Sequence, residues 1–143
     1  MESQKKKVNI KLTTEINEMG QRAVTVVEEP GSFIQKGATA VLTFTEHNEE
    51  DENVDAFITI HPEKVSIKRS GAVSMHQVFK KKQITENVYR HAYGTIHMET
   101  HTDQIIFEAP VDGRKGRLFI SYTTKLNGEG SRRHRLSLYF NER

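Results

Sequence analysis

The chain contains no cysteine. Disulfides, zinc–thiolate centres and thiol nucleophiles are therefore excluded. No apolar run approaches the roughly 20 residues that a transmembrane helix requires. The opening Met1-Glu2-Ser3-Gln4-Lys5-Lys6-Lys7 is basic with no apolar stretch behind it, so neither a signal peptide nor a membrane anchor is expected. Charge of one sign is not in excess, since 21 basic and 19 acidic residues leave a formal +2. That balance does not demand nucleic acid or an anionic membrane as a partner. Catalytic signatures are missing too. There is no Gly-x-Ser-x-Gly elbow, and the 7 histidines show no triad spacing. Triad members meet only in space, so catalysis stays open while a non-catalytic protein is the expectation. Gly128-x-Gly130 has no helical pattern after it and reads as a hairpin, not a nucleotide loop. No cofactor is implied, and the expected location is the cytoplasm.

What the chain does contain is alternation. It has 143 residues, 35% hydrophobic and 28% charged, as an ordinary globular domain does. One domain over residues 1–143 is expected, with 1–6 as a flexible tail. That length allows a core burying roughly two thirds of the unfolded surface. From Val65 to Phe79, odd positions carry Val65, Ile67, Arg69, Gly71, Val73, Met75, Gln77 and Phe79. Even positions are mostly polar. Period two marks strands with one wet and one dry face. The same alternation runs through Val8–Ile16, Ala38–Phe44, Val54–Ile60, Leu118–Thr124 and His134–Phe140. Residues 22 to 28 are rich in β-branched side chains. Pro30-Gly31 predicts a turn, followed by a short strand at Phe33 and Ile34. Turns are also predicted at Asn17–Gly20, Lys80–Lys82, Asp112-Gly113 and Asn127–Gly130. Separate strands are predicted over 87–94, 95–101 and 103–109. The acidic stretch 46–55 reads as a solvated loop, and it lacks the oxygen pattern and glycine of a calcium loop. About ten strand readings with short links predict an all-β antiparallel barrel of about 8–10 strands, partly closed.

The segments Arg69-Ser70-Gly71-Ala72-Val73, Phe79, Tyr89–Gly94, Thr100 and Gly116–Tyr122 resemble the YwiB-like family of small bacterial proteins. The likeness spans nearly the whole chain in consistent order. Where the family pattern Tyr-x-Thr-x-Tyr-Gly has threonine, this chain has His91. The resemblance implies a calycin-like, lipocalin-like barrel in a bacterial cytosol. It implies no activity.

Polar residues on dry-face positions are the first candidate site. Arg69 and Gln77 share the odd face of 65–79. Arg90 shares parity with Val88, Ile96 and Met98. Tyr122 follows Leu118 and Ile120, and His134 precedes Leu136. Facing inward, Arg69, Gln77, Arg90, Tyr122 and His134 would contact a small anionic or amphipathic ligand in the lumen or at its mouth. The plainer reading places them at strand ends, or pairs the arginines with a carboxylate such as Glu46 or Glu108. The parity near 90 is open, since Tyr89, His91 and Tyr93 face inward instead if the chain flips at Gly94. A second candidate is His97, Glu99 and His101, three metal-ligating residue types on one strand face, for which an exposed polar face is the plainer reading. A metal-assisted hydrolase there is the least favoured function. Third, Lys5–Lys7, Lys80–Lys82, Arg114-Lys115-x-Arg117 and Arg132–Arg135 could track an RNA backbone or a protein partner if the fold gathers them. Their plainer role at turns is solubility.

Overall fold

A computed structural model describes residues 5–47, 52–111 and 114–143, apart from the side chain of His91. Among these residues there is no helix. Ten strands run β1 (Lys6–Glu18), β2 (Gln21–Lys36), β3 (Thr39–His47), β4 (Asn53–Ile60), β5 (Lys64–Gly71), β6 (Ser74–Lys80), β7 (Ile84–His91), β8 (Gly94–Glu108), β9 (Gly116–Leu126) and β10 (Glu129–Glu142). Each pairs antiparallel with its sequence neighbours, and β1 pairs with β10 to close the barrel. The barrel is therefore fully closed, which removes most free edges.

This topology sorts the turns. The β1–β2, β3–β4, β5–β6, β7–β8 and β9–β10 hairpins lie at one end, called upper here. The starts of β1 and β2–β3, β4–β5, β6–β7 and β8–β9 links lie at the lower end. The tips β1–β2 and β9–β10 turn tightly through Met19-Gly20 and Asn127-Gly128, all four residues at positive φ. That is the type I′ geometry whose twist matches the flanking strands.

Alternate residues face in. At the lower end and middle these are Val8, Ile10, Phe33, Leu42, Ile58, Ile60, Val65, Phe79, Leu118, Ile120, Leu138 and Phe140, all buried in one cluster. Each such side chain contributes roughly 1.5–3 kcal/mol on burial. Phe33 and Phe140 lie 4.7 Å apart between ring centroids, and Phe107 stacks on Phe140 at 6.5 Å. A Cβ at Gly116 would collide with the Phe140 ring, so the ring uses the space that glycine leaves.

Three predicted boundaries change. Pro30-Gly31 is not a turn: β2 continues through it. There β2 stops pairing with β1 alone and begins to pair with β3, at Gly31↔Phe44. Gly31 permits this because a Cβ would strike the Thr43 carbonyl and Ile10, while Pro30 sits at an edge where no ladder hydrogen bond is lost. The predicted break near 102 is a bulge between Thr102 and Gln104 inside one long β8. The acidic loop shrinks, because β3 runs through His47 and β4 starts at Asn53. Its centre, residues 48–51, lies outside the described residues, as do the predicted turn Asp112-Gly113 and residues 1–4 of the expected tail.

Candidate ligand-binding site in the upper half of the barrel

Following the inward positions upward, the lining changes from apolar to polar on the same strands. On β9, Leu118 and Ile120 give way to Tyr122 and Thr124. On β10, Phe140 and Leu138 give way to His134. On β5, Val65 and Ile67 give way to Arg69. On β6, Phe79 gives way to Gln77.

Gln77, Thr100, Thr102 and Thr124 are buried. The Gln77 amide donates to Thr100 Oγ1 at 2.9 Å and approaches Met98 Sδ at 3.8 Å. Tyr122 stacks on His134 with ring centroids 4.5 Å apart and an interplanar angle of 5°. It also meets Phe79 edge-on at 4.7 Å. His134 Nε2 lies 2.8 Å from Thr124 Oγ1. Burial pushes the His134 imidazole down to about 4, and the charge of Arg132 adds to that shift. The ring is therefore neutral at pH 7. Burial raises the Tyr122 hydroxyl well above its usual range, against the pull of the Arg69 guanidinium. Two buried inward atoms have no hydrogen-bond partner: Asn87 Nδ2 in the belt and, deeper, Thr102 Oγ1, whose backbone bonds to Lys82 and Gln83 of the β6–β7 link. Asn87 lies where β6 and β7 part, since those strands pair only at Ser74↔Arg90 and Met75↔Tyr89.

Four of the five candidate residues thus face the lumen. Arg69 reaches in but is already matched, because its guanidinium donates to the Glu46 carboxylate on β3, one strand beyond its neighbour β4. The side chains are 32% and 16% exposed, so the pair sits at the mouth. Gln77, Tyr122 and His134 form the belt below it. Arg90 is the exception: it is exposed on the outer face. Tyr89 opposes inward Met75, and the two-residue turn Ala92-Tyr93 pairs His91 with Gly94. Inward positions are therefore odd on β7 and even on β8, and Val88 turns outward beside Arg90. Tyr93 is 96% exposed at the hairpin tip. Nothing in the sequence marked Asn87, Thr100, Thr102 or Thr124 as inward polar residues except strand parity.

His97, Glu99 and His101 lie on the outer face, opposite in parity to buried Met98, Thr100 and Thr102. His97 faces Glu86 at 3.7 Å. Among the described residues no three histidines or carboxylates converge for a metal. The basic stretches divide. Lys5–Lys7, Lys80–Lys82 and Arg114, Lys115 and Arg117 gather at the lower end, whereas Arg132, Arg133 and Arg135 rise toward the upper. Lys82 pairs with Asp103 at 2.9 Å, and its ammonium holds that carboxyl below its usual range. Arg117 pairs with Glu108 at 3.3 Å. One groove of about 880 Å³ crosses β2–β5 by Thr43, Asp55, Phe57 and Lys68, and none of the candidate residues lines it. Another of about 540 Å³ crosses β8, β9, β10 and β1 by His101, Asp103, Arg133 and Arg135, and its lining includes Tyr122 and His134.

The sequence profile of a domain of unknown function, DUF1934, matches residues 10–138. The uncharacterized beta-barrel protein YwiB of Bacillus subtilis (strain 168) is 23% identical over 133 residues, 93% of this chain and 92% of that protein. The crystal structure of the YwiB protein from Bacillus subtilis superposes with a TM-score of 0.84 at 22% identity, covering 97% of this chain and 93% of that one. At that identity the likeness shows the fold alone.

Proposed function

This chain belongs to the DUF1934 family, and we propose that it is a binding protein, not a catalyst, for a small amphipathic molecule held at the upper mouth of the barrel. The observation that carries this reading is the buried, unpartnered amide nitrogen of the belt, Asn87 Nδ2. Buried polar atoms are almost always hydrogen-bonded, and each orphan costs about 1–3 kcal/mol. A ligand carbonyl, hydroxyl or carboxylate oxygen that accepts from Asn87 Nδ2 would remove that cost. Its apolar part would rest on Phe44, Val54, Met75 and Met98, which are buried at the same level. An amphipathic ligand fits better than a simple anion, because Glu46 already neutralises Arg69. The cytoplasm is the proposed setting, on the cysteine-free composition.

Native mass spectrometry of protein purified gently from its own kind of host, with a denatured control, tests the proposal. The expected result is a small molecule that leaves on denaturation and is not retained by Asn87→Leu. Bare wild-type protein would contradict it.

A second reading draws on the lower end, where the start of β1 and the β6–β7 and β8–β9 links each carry a basic stretch. It is an RNA or anionic-protein contact through Lys5–Lys7, Lys80, Lys81, Arg114 and Lys115. Affinity should then fall steeply with salt and drop in a Lys80→Glu/Lys81→Glu variant. Salt-independent binding would remove this reading.

A further inference from the structure

The closed barrel still leaves a long edge of β2 unused. β2 spans Gln21–Lys36, but β3 pairs only with Gly31–Lys36. Among the described residues, the segment below Gly31 in number has β1 on one side and no strand on the other. Its limit is set at Glu29, whose carboxylate accepts from the backbone amide of His47 at 3.3 Å. Among the described residues, Arg22–Glu28 is therefore a free strand edge of the kind that natural proteins usually blunt with proline, lysine or a bulge. None of those stands within it. It holds Val24, Thr25, Val26 and Val27 in succession, with Val24 49% and Val26 51% exposed on the outer face.

The sequence of the edge is complementary to itself. Arg22-Ala23-Val24-Thr25-Val26-Val27-Glu28, run antiparallel against a copy about Thr25, sets Arg22 opposite Glu28, Ala23 opposite Val27 and Val24 opposite Val26. Arg22 and Glu28, which within the barrel pair with Glu15 at 2.9 Å and Lys11 at 4.0 Å, then each gain a second opposite charge, and the exposed valines meet each other, at both symmetric positions. Every partner keeps its own face of the sheet, as a continuous ladder requires. A two-fold contact of this kind is isologous and closes after two copies.

We propose that this edge pairs with the same edge of a second copy of the chain, joining two barrels through a continuous β1–β2–β2–β1 sheet at their upper ends. The ladder alone is short beside a standard interface of about 1,200–2,000 Å², so the dimer forms in a concentration-dependent way. A strand from another protein can occupy an edge of this kind by β-augmentation, but it would have to supply the same charge order that the chain itself already carries.

The chain's lack of cysteine makes the register directly testable. Opposed residues of an antiparallel ladder have Cα atoms about 4.5–5.5 Å apart, within the roughly 4.4–6.8 Å span of a disulfide. Thr25→Cys falls on the two-fold axis. Gln21→Cys falls about 27 Å from its symmetric copy, at about 3.4 Å per residue. Under mild oxidation Thr25→Cys should form a covalent dimer at least about tenfold faster than Gln21→Cys. Sedimentation of the unmodified chain should show a monomer–dimer equilibrium. Arg22→Glu or Glu28→Arg should weaken it roughly tenfold, and the two together should restore it. Circular dichroism of each variant confirms the fold. Equal cross-linking of the two cysteine variants, a dimer indifferent to the charge swap, or a monomer at all concentrations would overturn the proposal. The last outcome would leave the edge to a strand of a different protein.

Discussion

The two halves of the barrel are built on the same ten strands and differ in almost everything else. The lower half is a plug of interlocked aliphatic and aromatic side chains, with Phe79, Leu118, Leu138 and Phe140 almost fully buried. The upper half is a belt of hydroxyls, an amide, an imidazole and one ion pair, partly open to solvent. β5, β6, β9 and β10 carry both kinds of lining along their length, while the inward positions of β4 stay apolar from Val54 to Ile60. Stability and chemistry are thus divided mainly along the barrel axis. Small barrels fill their interior with side chains. Here the filling is apolar where nothing needs to enter and polar where the wall opens.

The sharpest way to break that contrast is to truncate the plug. Phe79→Ala should cost about 3–5 kcal/mol in urea denaturation, through lost burial and the cavity left behind. A loss of about 1 kcal/mol or less would show that the plug does not carry the fold. Next comes pH. His134 is held neutral in the folded state with its pKa lowered to about 4, while the unfolded chain binds its proton near 6.5. Its contribution to stability is present above pH 6.5 and is lost as pH falls from there through about 4. Because the ring is only partly buried, the loss is on the order of 2 kcal/mol. Comparing stability at pH 7 and pH 4 in the wild type and in His134→Gln checks this, and the variant should lose part of the slope. Arg69→Ala should cost less, about 1 kcal/mol, because Glu46 left unpaired is still reached by water. Combining it with Glu46→Ala should recover some of the loss. If the pair serves a ligand, Arg69→Ala weakens retention more than folding. If it serves the fold alone, the order reverses. The smallest effect belongs to the outer face, where His97→Ala should change stability by less than about 0.5 kcal/mol and leave metal content unaltered.

Much of the fold was legible because inward and outward positions differ in polarity. Val8–Ile16, Val54–Ile60 and Leu118–Thr124 each announced their strand and its buried face. Legibility failed where that contrast vanished. Between Asn87 and Gly94, Val88 and Ala92 share a face with Arg90 while Tyr89 and Tyr93 take the other, so polarity left the parity open, and Arg90 turns out to be exposed on the outer face. Pro30-Gly31 carries turn chemistry, yet the barrel uses it to bend a strand at a crowded corner. The candidate site was legible in part. Arg69, Gln77, Tyr122 and His134 stood out as polar residues among apolar neighbours on inward positions. Their partners did not, because Glu46 meets Arg69 over β4 and Thr100 meets Gln77 over β7 only once successive strands pair, 23 residues apart in each case.

The most direct test of the division along the axis is native-state hydrogen exchange, read amide by amide by NMR. The backbone hydrogen bonds are of one kind along each strand, so differences report local stability. Amides of Ile58, Leu118, Leu138 and Phe140 should exchange only through global unfolding. Those of Arg69, Tyr89 and Arg132 on the upper parts of β5, β7 and β10 should exchange at least roughly a hundredfold faster, through openings that leave the plug intact. Uniform protection from one end of each strand to the other would contradict the account.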